Sequence, residues 1–133
     1  MKKVISFLLL SLFSVFSNAN TVLSEEQLKD LTQQFIAAKN ARQQPDSTAA
    51  DVEHFLSFLA DEFLDEHVKF NVIFSSKEEL RESMLAKLED KMFFSNIDIL
   101  EMMTGRNVTF VKFKEHAKGK PVHMDKPIEY TAI

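Results

Sequence analysis

Asn96-Ile97-Asp98-Ile99-Leu100-Glu101-Met102-Met103-Thr104-Gly105-Arg106-Asn107-Val108-Thr109-Phe110-Val111-Lys112-Phe113-Lys114-Glu115-His116 is the stretch whose reading decides the fold. Apolar and polar side chains alternate on both sides of a glycine, the period-two signature of paired strands rather than the 3.6-residue stripe of a helix. The chain has two glycines, Gly105 and Gly119, and each stands where a hairpin would turn. Three segments result, residues 96–103, 107–116 and 122–133, all rich in Val, Ile, Phe and Thr. They predict a three-stranded antiparallel meander. Pro127 interrupts the last segment, because a residue without an amide proton is tolerated only at an edge or a bulge.

Turns at Gly105-Arg106 and Gly119-Lys120 set the register. Met103 then faces Val108 and Leu100 faces Val111, while His116 faces His123, Lys114 faces Asp125 and Phe113 faces Lys126. One side of the sheet carries Leu100, Met102, Val111, Phe113, Met124, Ile128 and Tyr130. The other carries Lys112, Lys114, His116, His123, Asp125 and Glu129. The apolar side is expected to meet helices. Near the first turn, however, Ile97, Ile99, Met103, Val108 and Phe110 project to the opposite side, where a half-covered sheet should be polar. Either a second copy covers this outer patch, as a homodimer would, or the register is displaced by one residue.

Upstream the period changes. Ser24-Glu25-Glu26-Gln27 matches a capping box, in which serine accepts an amide proton and the residue three further on reaches back. Leu28, Leu31, Phe35 and Ala38 follow as one apolar stripe, and the helix should end near Gln43, before Pro45. Asp46-Ser47-Thr48 offers caps for a second helix with the stripe Val52, Phe55, Leu56 and Leu59. Val68, Phe70, Val72 and Phe74 suggest a short strand over residues 68–74. Ser76-Lys77-Glu78-Glu79 opens a third helix through Leu80, Met84, Leu85 and Leu88 to about Asp90.

The run Phe55-Leu56-Ser57-Phe58-Leu59-Ala60-Asp61-Glu62-Phe63 and the capped helix over residues 76–88, followed by the meander, resemble the nuclear transport factor 2-like, or SnoaL-like, superfamily. The resemblance covers roughly residues 28–133. It implies an α+β, cystatin-like cone, with three N-terminal helices packed on a curved, mainly antiparallel sheet. Members of that superfamily include hydrolases, isomerases, cyclases and non-catalytic binders, so the shape alone implies no reaction. Members usually finish with another long strand, whereas this sequence stops at Tyr130-Thr131-Ala132-Ile133, so the sheet is expected to lack its last strand. A truncated chain and an open edge covered by a partner both account for this. No Asp/His or Tyr/Asp set matches a named catalytic constellation, and no active site is carried over.

Within such a cone, Asp98, Glu115 and Tyr130 could share the helix-facing side, although Asp98 and Glu115 in water at strand ends, with the Tyr130 hydroxyl at the rim, is the simpler reading because Asp and Glu are rarely fully buried. Phe113 and Met124 would form part of the apolar wall of a small-molecule pocket. A buried carboxylate there would have a raised pKa and could act as a general base, the route by which a small isomerase, cyclase or hydrolase would work. His116 and His123, with Asp125 two residues on, form a second and weaker polar set. Surface residues at a wet hairpin end explain it better than a divalent metal site or acid–base chemistry does. The acidic run from Asp61 to His67 lacks the glycine and oxygen spacing of a calcium loop. Asn107-Val108-Thr109 is a glycosylation sequon. No metal site and no cofactor are expected.

The first nineteen residues read as a signal peptide. Lys2 and Lys3 precede an apolar run from Val4 to Phe16, and Ser17-Asn18-Ala19 places small residues at the cleavage site. That run is shorter than the roughly 20 residues of a spanning helix, so no membrane attachment is expected after cleavage. The expected product is a single domain over residues 20–133, periplasmic or secreted. Without Lys2 and Lys3, 14 of the 16 Lys and Arg remain against 20 Asp and Glu, a net charge of −6 that argues against a nucleic-acid partner. The absence of cysteine excludes disulfides, thiol nucleophiles and an N-terminal lipid anchored through that residue. Ten of the 13 phenylalanines and five of the six methionines follow residue 19. They fill a core or line an apolar pocket.

Overall fold

In the computed structural model, residues 21–133 are described; the signal-peptide reading of residues 1–19 lies outside them. The fold is α+β, with three helices and a mainly antiparallel arrangement of strands. Helix α1 spans Glu25–Ala41, α2 spans Ala49–Leu56 and α3 spans Lys77–Ala86. Both elements of the capping box at Ser24 are present, with Gln27 N donating to Ser24 Oγ at 3.1 Å and Ser24 N to Gln27 Oε1 at 2.9 Å. Thr48 and Ser76 cap α2 and α3 as their local sequence predicts. No described helix is long and apolar enough to cross a membrane.

The expected single strand over residues 68–74 is instead a small hairpin. Strand β1, Asp65–His67, pairs antiparallel with β2, Val72–Phe74, across a 3-10 turn at Val68–Phe70. Asn71 closes that turn at φ 51°, a left-handed conformation that asparagine tolerates better than most residues. Alternation of Val68, Phe70, Val72 and Phe74 therefore reports a reversal, not a continuous strand.

The meander consists of β3, Lys91–Gly105, β4, Val108–Lys120, and β5, Ile128–Ala132, in that spatial order. Its first turn lies at Arg106 and Asn107, one residue later than expected. Met103 therefore faces Phe110 and Met102 faces Val111. A two-residue displacement preserves faces. The face assignments of β3 change for a different reason: register shifts at Phe93 and Leu100 each leave one residue unpaired. An extra residue inverts which side chains point inward. Ile97 and Ile99 consequently lie on the side of α1, opposite Glu115 and Phe113, whereas Asp98 faces Lys114 on the outer side and Leu100 is exposed.

The second turn is longer than expected. Strand β4 continues through Gly119, which faces Met92 on one side and Ile128 on the other. Residues 121–127, bounded by two prolines, form the connection, and Asp90 Oδ1 accepts from Val122 N at 2.9 Å. Gly119 is a site of close approach rather than a turn, since an added Cβ would lie 2.8 Å from Met92 Sδ.

Helix α1 packs against β3, β4 and α2. Ile36 and Ala38, about 200° apart around a helix, are both buried, which a single stripe does not allow. Leu31, expected inside, is exposed. Phe35, Ala38 and Arg42 face α2, where the Phe35 and Phe55 rings are 5.2 Å apart. Ile36, Asn40 and Gln43 border the sheet. The core cluster joins Ala38, Val52, Phe55, Leu56, Leu80 and Met84, all from helices. Arg81 ties α3 to α2 through Glu53 at 2.7 Å.

Candidate functional site

Odd-numbered residues of β4 point towards α1, which places the Glu115 carboxylate on the covered side of the central strand, between Ile97 of β3 and Ala132 of β5. The C-terminal end of α1 supplies its partners. Lys39 and Gln43, four residues apart, share the side of the helix end that meets the sheet, while Arg42 between them lies against Phe55 of α2. Gln43 Nε2 donates to Glu115 Oε1 at 2.8 Å and to Ser95 Oγ at 3.0 Å. From β5, the Tyr130 hydroxyl donates to the same Glu115 oxygen at 3.0 Å. Lys39 Nζ stands 3.8 Å from Glu115 Oε2 and 5.9 Å from the centre of the Phe113 ring.

Ser95, 1 % exposed, is the buried polar residue of the sheet, and its carbonyl accepts from Gln44 Nε2 at 2.7 Å. Each of these contacts satisfies a group that would otherwise lose its water. Arg42 is the exception. Its guanidinium carbon lies 4.7 Å over the Phe55 ring, while its Nε is buried with no hydrogen-bond partner among the described residues.

Burial lowers the pKa of Lys39, opposed by the charges of Glu115 and Asp65. Arg42 is lowered by the same desolvation, and Glu115 and Asp65 again oppose it. Tyr130 moves the other way. Loss of solvent first, and then the adjacent Glu115, push its phenol up to about 12, so at neutral pH the hydroxyl is a donor and not a base. Its ring and Ile128 nevertheless remain 47 % and 42 % exposed, because α1 packs along β3 and β4 while every residue of β5 is exposed. The site is thus a part-buried polar floor, with Ser95 at its base, beside the open strand β5.

Of the residues expected here, the structure brings together Glu115, Tyr130 and Phe113. Asp98 is absent from the group, because the bulge at Leu100 turns it to the outer face opposite Lys114. Met124 lies in the connection 121–127, its amide donating to Pro121 O at 3.0 Å, and is not on the sheet. His116 faces Thr131 rather than His123 and pairs diagonally with Glu129 at 3.0 Å. His123 and Asp125 are exposed in the same connection, so the imidazole pair does not form. Among the described residues, no group of three or more His, Asp or Glu side chains is placed to hold a metal ion. Lys39, Arg42, Gln43 and Ser95 went unrecognised in the sequence. Their only local signal was the spacing of three long polar side chains at the end of α1.

No family model, curated protein or solved structure matches the chain.

Proposed function

We propose that the chain is an exported binding domain, arranged as a nuclear transport factor 2-like cone, that holds a small, largely apolar molecule by an acceptor group at the Glu115 network. The observation that carries this reading is the unpartnered Arg42 Nε, buried over the Phe55 ring and close enough to Glu115 and Tyr130 to feel their charge. A buried donor without an acceptor costs about 1–3 kcal/mol, and a ligand oxygen reaching it would recover that loss. Tyr130 and Ile128, half exposed beside the floor, offer the apolar wall. A general-base enzyme has less support, since Glu115 Oε1 already accepts from both Gln43 and Tyr130.

Medium-chain probes test the proposal. Decanoate and decanol each carry an apolar tail and an acceptor, and the emission of Tyr130, the single tyrosine in a chain without tryptophan, reports on the site directly. Saturable binding of at least one probe is expected, weakened about tenfold by Arg42→Met, the size of one lost hydrogen bond to a charged donor. No saturable change with either probe, or unaltered affinity in Arg42→Met, would overturn the reading.

A further inference from the structure

The outer face of the sheet carries a different pattern, independent of the Glu115 site. Across the β3–β4 pair, Met103 faces Phe110, Glu101 faces Lys112 and Asp98 faces Lys114. Phe110 and Met103 are 64 % and 59 % exposed, and Leu100 and Val108 beside them are also exposed. The four charged residues next to this patch are exposed, and among the described residues none of their side chains forms a hydrogen bond or an ion pair. Their neighbours further along the face differ: Glu129 is held by His116 at 3.0 Å and Lys118 at 3.1 Å. Acids stand on β3 and bases on β4, in rows that run parallel and begin at the apolar end.

This arrangement is self-complementary under one operation. A twofold axis parallel to the strands, placed between β3 and β4 in the plane above the sheet, preserves position along the strands and exchanges the two rows. It sets Phe110 over the partner's Met103, Lys112 over the partner's Glu101 and Lys114 over the partner's Asp98, and each contact recurs in reverse, as an isologous interface requires. Two sheets packed about 10 Å apart with strands within about 30° of each other accommodate such facing rows. The apolar residues at the hairpin end provide the dry part of the contact and the charged rows beside them the wet part, which contributes alignment and choice of partner more than affinity. A neutral or single-sign face would leave the rotational setting open, whereas this one penalises any setting that places lysine row on lysine row.

We infer that the occupant of the outer sheet face is a second copy of this chain, docked by the Met103–Phe110 patch and oriented by the Glu101–Lys112 and Asp98–Lys114 rows. Sedimentation equilibrium on protein expressed from the full-length chain tests this. The unaltered protein is expected to show a monomer–dimer equilibrium, and Phe110→Lys to weaken it about thirtyfold or more, the scale of a central hot-spot residue. Because that substitution alters any apolar contact, the decisive measurement uses charges. Glu101→Lys makes this part of the face basic and Lys112→Glu makes it acidic. Each variant alone should dimerise more weakly than the unaltered chain, while an equimolar mixture should associate at least as tightly as the original, because every rim contact is then of opposite sign. Pairing within one chain predicts no gain on mixing. A protein that stays monomeric, a dimer indifferent to Phe110→Lys, or charge variants that fail to associate when mixed would each overturn the inference. Circular dichroism of each variant separates loss of association from loss of folding.

Discussion

Tyr130 is the one tyrosine of the chain, so the ultraviolet signal of phenolate follows a single residue at the candidate site. Its ionisation is expected near pH 12 instead of the ordinary 10.0, because burial and the adjacent Glu115 both disfavour phenolate. Glu115→Gln should lower that midpoint towards 10. A midpoint at 10 in the unaltered protein would mean that the hydroxyl does not lie against the carboxylate. The linked effect on stability has a definite sign. With its pKa raised in the folded state, Tyr130 contributes stability that is fully present below pH 10 and is lost as pH rises from 10 towards 12. Tyr130→Phe should flatten that decline in chemical denaturation. Glu115 and Tyr130 were legible in the sequence because strand alternation, once the strands are placed, assigns them to one face. Their partners Lys39, Arg42 and Gln43 were not. Polar residues at a helix end usually meet water, and only the approach of α1 to β4 takes these out of it.

Elements differ in how local their causes are. The caps of α1, α2 and α3 were readable because each involves residues within one turn, and all three helices begin where those residues stand. The bulges of β3 were not, since a bulge is a property of two strands together and leaves no fixed mark on either. Gly119 shows the same limit. As a sequence signal it resembles a turn residue, yet its reason lies 27 positions away in Met92. Gly119→Ala should cost about 1 kcal/mol through overpacking against the Met92 sulfur, the lower end of such penalties because methionine can move. Repeating the substitution in a Met92→Ala background should remove most of that cost. Equal destabilisation in both backgrounds, measured by denaturant titration, would place the strain elsewhere.

Over the whole molecule, buried area concentrates among the helices, while the sheet is covered by α1 on one side and presents its other side to solvent. Two phenylalanines, one from the core and one from the outer face, should behave differently. Phe55, 4 % exposed and in contact with the tilted Phe35 ring and the Arg42 guanidinium, is expected to cost about 3–5 kcal/mol when replaced by alanine. Phe110→Ala should change monomer stability by no more than about 0.5 kcal/mol. Thermal denaturation at low protein concentration compares the two, and similar losses would contradict the placement of the core. The α+β class, the caps and the order of three antiparallel strands were determined by the sequence alone, because hydrophobic period and turn chemistry act over a few residues, whereas β3 begins five residues before, β4 ends four after and β5 begins six after the expected limits. Tertiary structure alone decided which side of β3 faces α1, that residues 65–74 fold back as a hairpin, and that Glu115 meets Gln43 and Lys39. Those outcomes depend on inter-strand register and on a helix buried on two sides, and neither is encoded within any single stretch of chain.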